Sequence, residues 1–377
     1  MAHPTTGLSE GRNLRSGSVP WREADWTLPP AGGLSRDPVD IAIIGTGIMG
    51  AILAERLSAG GRRVALLNRR PPGCGSTAAS TAQLMWAMDV PMLTLAGQIG
   101  ETEAVRRWTR VLGAVRHLSE RIESMGLSAL KQDCPTLYLA GGLLDDEALA
   151  AAAAMHRRHG LPSQWLDGNQ VRERFGIAPR AAILSDGGFT VDPVRLCHAL
   201  IELVVSRGAA LVWPINVIGM HPDGDGDGVH IEMEGGDSLH AGEVILATGY
   251  ERPTLFLPPA FSLLTSFAMA TPPGMAPLWK GNAMIWEASD PYLYLRTDAS
   301  GRIIAGGEDI EEADADTRDA LISQKAGVIA AKLETLLGAP VTIDRQWAAT
   351  FGASPDGLPS AADPPQSRTL RKFGASG

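Results

Sequence analysis

The feature that most constrains this chain is a glycine spacing at a junction between strand and helix. Gly45, Gly47 and Gly50 form G-x-G-x-x-G directly after VDIAII (Val39 to Ile44) and at the mouth of a helically spaced run, GTGIMGAILAERLSAGG. The first glycine permits a tight turn, the second lets a diphosphate approach the backbone, and the third lets helix and strand pack closely. Free amides and the positive helix end hold the phosphates. Gly60 and Gly61 supply the helix stop, and RRVALLN (Arg62 to Asn68) reads as a second buried strand. Together these make a βαβ unit of about 30 residues, and the fold they predict is α/β with a dinucleotide on a parallel sheet.

The end of that second strand normally offers a carboxylate to a ribose. Here it carries Asn68, Arg69 and Arg70. An amide can still bond a ribose hydroxyl, more weakly than a carboxylate does. A neutral residue followed by basic ones also suits the 2′-phosphate of NADP, and plain surface charge is a third reading. This position alone does not choose among them.

At 377 residues the chain has room for two domains. Residues 1–38 lack periodicity and read as a surface tail, with Trp21 and Trp26 as anchoring points. The pattern is helical from Thr94 to Gly126 and again from Ala148 to Met155, where Asp145 and Asp146 suit an N-cap. Asp192-Pro193 opens a helix with Leu196, Leu200 and Val204 on one face. Strand patterns follow at LVWPINV, VHIEM, EVILATG, SFAMAT, AMIWE, YLYLR and RIIAGG, then a helix from about Asp316 to Leu337. Parallel and antiparallel textures alternate along the chain. The division expected is therefore discontinuous: 39–93, 190–258 and 341–359 in a Rossmann-like domain, 94–189 and 259–340 in an interleaved antiparallel-sheet substrate domain.

Composition removes other classes. Lys+Arg 33 against Asp+Glu 42 gives a net charge of -9 with no basic stripe, which argues against nucleic acid as a partner. The longest apolar stretch near the N-terminus, Ile41 to Ala54, is too short and glycine-broken for a membrane span. Three cysteines without a CxxC, and a start without an apolar leader, point to the cytoplasm. The eight histidines show no ligand spacing, so no metal site is expected. His156 and His159 read as a solvated helix end, and Cys197 as buried and inert.

GCGSTAASTAQLMWAMD (Gly73 to Asp89) gathers small and hydroxyl residues where a backbone must pass close to a ligand, and EVILATGY (Glu243 to Tyr250) is an apolar strand ending in Ala-Thr-Gly. With LRSG, the strand at Val217 and WAATFGASPDGLP (Trp347 to Pro359), these motifs in this order resemble the D-amino-acid-oxidase-like family of FAD-dependent oxidoreductases. GSTAAST is especially like a bacterial branch of it. The resemblance implies that Gly45, Gly47 and Gly50 hold the FAD diphosphate, with Asn68 and Arg69 at the adenosine ribose. Ser76, Thr77, Ser80 and Thr81 would line the diphosphate and flavin, or cap helices. Val217 would meet adenine through its backbone, and Ala247, Thr248 and Gly249 would form a second backbone contact.

In this family FAD takes a hydride from a small amine, amino acid or hydroxy acid. Tyr292, Tyr294 and Arg296 alternate onto one face of a strand, where two phenols and a guanidinium could line a substrate pocket and clamp a carboxylate. The same alternation suits an ordinary solvent-facing sheet. Trp86, close after GSTAAST, is a candidate contact for the isoalloxazine. Two departures stand out. Phe351 occupies a tail-motif position where amino-acid oxidases often carry arginine. Residues 360–377, SAADPPQSRTLRKFGASG, have no apolar periodicity and read as disordered and truncated where the family continues with a strand and a helix. Two alternatives follow, an NADP-dependent dehydrogenase and a catalytically impaired paralogue without the segment that covers the flavin.

Overall fold

The computed structural model describes residues 13–21, 37–223, 228–250, 261–275 and 278–354, with the backbone of 360–362 and 370–374. In chain order, β1 (Arg15–Gly17), β2 (Val39–Ile44), α1 (Ile48–Ala59) and β3 (Val64–Leu67) come first. A short helix α2 (Ser76–Ala79) and β4 (Gln83–Leu84) lead into α3 (Met92–Ile99) and α4 (Glu101–Ser124). Next are β5 (Lys131–Leu139), α5 (Asp146–Arg158), β6 (Ser163–Leu166), α6 (Gly168–Phe175), β7 (Ala182–Val191) and α7 (Pro193–Ser206). Four strands follow: β8 (Ala210–Val212), β9 (Val217–Pro222), β10 (Val229–Met233) and β11 (Ser238–Leu246). The chain then forms β12 (Ser262–Ala270), β13 (Met284–Glu287), β14 (Leu293–Thr297), β15 (Ile303–Ile310), α8 (Ala315–Leu337), β16 (Arg345–Ala353), β17 (Ser360–Ala362) and β18 (Leu370–Gly374).

These strands make two sheets. The smaller runs β17-β18-β11-β2-β3-β8, with β18, β11, β2, β3 and β8 parallel. Its strands are apolar on both faces because both are covered. Ile41, Ile43, Val64 and Leu66 pack toward α1 and α7, while Ala42, Ile44, Ala65 and Leu67 pack toward the β9–β10 hairpin. Asp192 caps α7 as its Asp-Pro start requires, accepting from Val194 N and Arg195 N at 3.0 Å each.

The larger sheet runs β1-β16-β12-β15-β14-β13-β5-β7-β4, with β6 beside β7. Strand alternation splits it into two faces. Leu137, Ile285, Leu295, Ala305, Met269 and Ala348 point into one core with α8 and α6. The other face carries a row that crosses six strands in register, Tyr138–Trp286–Tyr294–Gly306–Ala268–Trp347. A two-residue period therefore gives one greasy face and one aromatic face.

Four expectations change. Residues 15–17 are not a loose tail: they pair with β16, and buried Arg318 of α8 donates to Asn13 O and Ser16 Oγ at 2.8 Å each. Trp21 is buried beside Ala268 and Trp347, whereas Trp26 lies outside the described residues. β16 pairs antiparallel with β12 in the larger sheet, so 345–353 does not join the parallel sheet, and β4 likewise pairs with β7. The physical reason is that β12 and β7 offer free ladder edges close to these segments. Residues 360–362 and 370–374 form strands: β18 pairs in parallel with β11 and β17 antiparallel with β18. Backbone pairing along an open sheet edge needs no apolar periodicity, which is why composition misread this segment.

One buried ion group joins the helices behind the parallel sheet. The Glu55 carboxylate on α1, 2% exposed, accepts from Arg121 of α4 (Nε, 3.0 Å) and from Arg207 beyond α7 (Nη1, 3.0 Å). Burial pushes its pKa up, but the two guanidiniums override it and hold the pKa below the ordinary value. Its contribution to stability is thus present above the unfolded pKa and lost as pH falls through the folded one. Glu55→Gln should cost about 2 kcal/mol of unfolding free energy at neutral pH. Urea midpoints would check this, and a variant as stable as the parent would show that the group is not a structural tie.

Candidate functional site

The glycine loop sits at the C-terminal ends of β2 and β11. Gly45 has φ +109°, and a Cβ there would lie 2.2 Å from Ala247 O, so only glycine fits the turn. A Cβ on Gly50 would lie 2.0 Å from Gly45 O, which is the close helix–strand approach. At Gly47 a Cβ would meet only the Thr77 hydroxyl, at 3.1 Å. The middle glycine therefore has a side-chain hydroxyl, not backbone, above it, between two glycines closed against backbone. The first turn of α1 carries no acidic residue to neutralise the positive helix end.

Neighbouring segments complete this cradle. Thr77 Oγ1 accepts from Ile48 N at 2.9 Å, capping α1 from a separate helix. The remaining first-turn amides have no partner within the helix. Asn68, at the tip of β3, accepts from Thr46 N through Oδ1 at 3.2 Å and donates from Nδ2 to Arg70 O. Arg69 follows it, half-buried. Thr46 is 1% exposed, and its Oγ1 has no partner among the described residues. Ala247 N donates to Ile44 O at 2.8 Å, and Thr248 and Gly249 (φ +67°) turn away from the end of β11. Val217 is buried with Leu67 and Val212 at the start of β9. Glycine cradle, open helix end and unpartnered Thr46 hydroxyl together fit a diphosphate and its sugar.

The Ser/Thr segment is fixed to the larger sheet rather than to the loop. Ser76 and Ser80 are exposed at the ends of α2, and Ser80 Oγ accepts from Ala82 N at 3.1 Å. Trp347 Nε1 donates to Ala79 O at 2.8 Å. Arg296 donates from Nε to Thr81 O (2.6 Å), from Nη1 to Thr297 O (3.1 Å) and from Nη2 to Val191 O (2.8 Å), with its guanidinium over the Trp21 ring at 5.1 Å. It is 2% exposed, and burial draws its pKa down to about 10, leaving it charged at neutral pH. This corrects the expectation that Arg296 clamps a carboxylate. Strand alternation does put it on the face of the two tyrosines, but three main-chain oxygens occupy its donors.

Tyr292 and Tyr294 stay together, their rings 5.7 Å apart. Tyr292 donates its hydroxyl to Asp309 Oδ2 at 3.0 Å, and burial followed by Asp309 pushes its pKa upward. The Tyr294 phenol lies across Gly306, where a Cβ would stand 2.3 Å from its oxygen, and burial raises its pKa to about 12. Asp89 is open to solvent yet surrounded by protein, the situation of a group lining a cleft; burial first, then Asp309, raises its pKa. Beside them a small cavity is walled by Met88, Met92, Trp108, Tyr138, His156 and Trp286.

Trp86 belongs to the core instead. It is fully buried, donates to Asp186 O at 2.7 Å, and packs edge-on against Trp108 and His156. His156 is likewise not a solvated helix end: its ring lies 4.9 Å from Trp108, and burial lowers its pKa to about 4. Its spacing from His159 places both on α5, but α5 turns His156 inward and leaves His159 bonded to Glu101 at 2.7 Å. Cys197 is buried, as its helix position suggested. Linear spacing also missed a surface trio, Asp223, His230 and His240, whose ligand-type atoms lie within 4.8 Å of one another because cross-strand pairing joins His230 and His240.

With the geometry in hand, comparison with known proteins defines the class. A profile of the FAD dependent oxidoreductase family, DAO, matches residues 40–377, and the chain belongs to that family. FAD is its cofactor. The probable oxidoreductase OrdL of Haemophilus influenzae is 24% identical over 211 residues, 55% of this chain and 48% of that protein. The bifunctional protein MnmC of tRNA 5-methylaminomethyl-2-thiouridine biosynthesis from Chromohalobacter salexigens is 28% identical over 269 residues, 66% of this chain and 34% of that protein. The chain thus spans less than half the length of these curated relatives. Among solved structures, glycine oxidase from Geobacillus kaustophilus superposes with TM-score 0.68 at 18% identity, covering 90% of this chain and 89% of that one. L-proline dehydrogenase from P. horikoshii gives 0.71 at 18%, covering 90% and 88%. NikD, an amino acid oxidase of nikkomycin biosynthesis, gives 0.71 at 19%, covering 90% of each. At these identities the likeness shows the fold. The family match favours neither the NADP-dependent dehydrogenase nor the impaired paralogue. Among the described residues no helix is long and apolar enough to cross a membrane.

Two outcomes follow from this geometry. Arg296→Ala strands three buried carbonyls and should lower stability by about 3 kcal/mol or more; an unchanged melting midpoint would show the clamp to be idle. His156 takes a proton near 6.5 when unfolded and near 4 when folded, so stability falls as pH drops through that window, by on the order of 3 kcal/mol in full. His156→Gln should remove that part of the pH dependence. Parallel stability curves for parent and variant between pH 7 and 4 would defeat the assignment.

Proposed function

We propose that this chain is a flavoenzyme that oxidises a small amine, amino acid or hydroxy acid, with FAD stretched along the C-terminal ends of β2, β3 and β11. The observation that carries this is the cradle itself: Gly45 and Gly50 closed against backbone, and between them Gly47, whose Cβ would meet the Thr77 hydroxyl and no backbone among the described residues beyond its chain neighbours. In this reading the amides of residues 45–50 and the N-terminus of α1 bind the diphosphate, and Thr77 keeps that helix end in place. Asn68 and Arg69 border the ribose, the Val217 backbone meets adenine, and Ala247, Thr248 and Gly249 supply a second stretch of main chain. Ser76, Ser80 and Thr81 border the flavin side. FAD supplies, when bound, an acceptor for a hydride from a substrate C–H bond.

The chain's own residues bind and orient. Tyr292 and Tyr294 stay protonated at neutral pH and carry no charge of their own; Tyr292 gives its hydrogen to Asp309 and offers a substrate only its oxygen and its ring. Arg296 holds the turn at Thr81 in place beneath them and acts as a positioning residue. The enzymes of similar structure, glycine oxidase, L-proline dehydrogenase and an amino acid oxidase, support a substrate with nitrogen beside the reacting carbon.

The test is the flavin content of the purified protein and of Gly47→Ala. Among the described residues beyond its chain neighbours, the added methyl meets only Thr77 Oγ1, at 3.1 Å, which must give by a few tenths of an ångström, so the variant should fold with a small loss at most in apo-protein melting midpoint. It should bind FAD at least about tenfold more weakly, because the methyl occupies the diphosphate's approach. A parent without flavin absorbance, or a variant that loads FAD equally well, would overturn the reading.

A further inference from the structure

We propose that the cleft over the aromatic face of the larger sheet binds an alkylammonium cation between Asp89, Asp309 and the rings of Tyr292 and Tyr294, so that the substrate is a cationic amine rather than an amino acid. This rests on the flavoenzyme reading and narrows it.

Four observations bear on the choice. First, the cleft's charges are carboxylates. Asp309 accepts from Tyr292 through Oδ2, while its Oδ1 is buried with no partner among the described residues. Asp89 stands near enough to influence Tyr138, Tyr292 and Tyr294, and the charge acting on it is that of Asp309. Two carboxylates in one cleft repel each other, and a cation between them removes that cost. Second, the face has no guanidinium to offer. Arg296 is spent on Thr81, Thr297 and Val191, and position 351 is phenylalanine, so a substrate carboxylate would meet like charge.

Third, the surface is aromatic and shaped from below. Gly306 has no side chain, which lets the Tyr294 ring lie across its strand. Tyr138 stacks on Trp286 at 3.9 Å in the same row. Ring faces attract alkylammonium groups, and more so where water is scarce. Fourth, the indole N–H of Trp286, on the wall of the adjoining cavity, has no partner among the described residues, in a side chain 5% exposed. A buried donor without an acceptor points to a polar occupant. The ligand class these features fit is an amine cation on a short carbon chain, with a hydroxyl, ether or amide oxygen within reach of Trp286.

The experiment is isothermal titration of the purified holoenzyme with butylammonium chloride and, separately, sodium butyrate, on the parent and on Asp89→Asn and Asp309→Asn. Butylammonium should bind the parent and butyrate should not, and each substitution should weaken butylammonium about tenfold with FAD content unchanged. Asp89 is exposed and makes no hydrogen bond among the described residues, so its variant keeps the test valid should Asp309→Asn fail to fold. Butyrate binding as tightly as butylammonium, or parent-like butylammonium affinity in Asp89→Asn, would overturn the proposal. A protein that binds butylammonium in this pattern but carries no flavin would sink the flavoenzyme reading and leave the cation site standing.

Discussion

The structure depends first on where one guanidinium ends. Arg296 rises from β14 into the joint between the two sheets and donates to main-chain oxygens of three segments: the turn after α2, the end of β7, and its own strand. A buried charge is costly unless acceptors surround it, and here one bond also fixes a turn that belongs to no ladder. That turn is residues 80–82. It contains Ala82 at φ +52°, a left-handed conformation that a non-glycine residue holds only when its surroundings impose it. Arg296 on one side and the Ser80 hydroxyl on the other impose it. Since α2 supplies the Thr77 cap of α1, the geometry of the glycine loop depends on a side chain far from it in sequence.

That dependence explains why two sheets act as one support. The parallel sheet alone can form the turn at Gly45 and the tight packing at Gly50, because both involve backbone of adjoining strands. It cannot by itself cap α1, whose N-cap residue is glycine and makes no side-chain bond. Thr77 does so from a helix pinned to the larger sheet by Trp347 and, one turn later, by Arg296. The cradle for the diphosphate and the aromatic face above it are therefore held in one relative position by the same few bonds.

What was legible in the sequence was local. The Gly45–Gly50 spacing, the Asp192-Pro193 helix start and the two-residue alternation of YLYLR all depend on neighbours within a few residues, and the chain read directly gave their form. What depended on distant partners was not legible. Alternation placed Arg296 on the face of Tyr292 and Tyr294 but could not show that Thr81, Val191 and Thr297 bond all three of its nitrogens and hold it in the core. The same holds for Glu55 between Arg121 and Arg207, for Trp86 and His156 in one aromatic core, and for Asp309 beneath Tyr292. Asp89 and Asp309 lie 220 residues apart, so no spacing rule joins them. The C-terminal strands illustrate the opposite error, since β18 is recruited by an open ladder edge and not by its own side chains.

The two faces of the larger sheet also show how a single pattern serves two purposes. On the α8 face the strands present mostly aliphatic side chains, with Phe267 among them, packed against the helix. On the other face bulk meets its absence where the Tyr294 ring lies over Gly306. A ring laid flat over glycine presents its π face outward, and its edge hydroxyl stays near the sheet. A surface built in this way attracts cations through its rings and rejects anions wherever its neighbours are carboxylates. Had the strand carried alanine at 306, the Tyr294 ring would have to stand up from the sheet, and the floor of the cleft would be aliphatic there. The glycines of the larger sheet thus shape its chemistry by leaving room, as those of the parallel sheet do at the diphosphate loop.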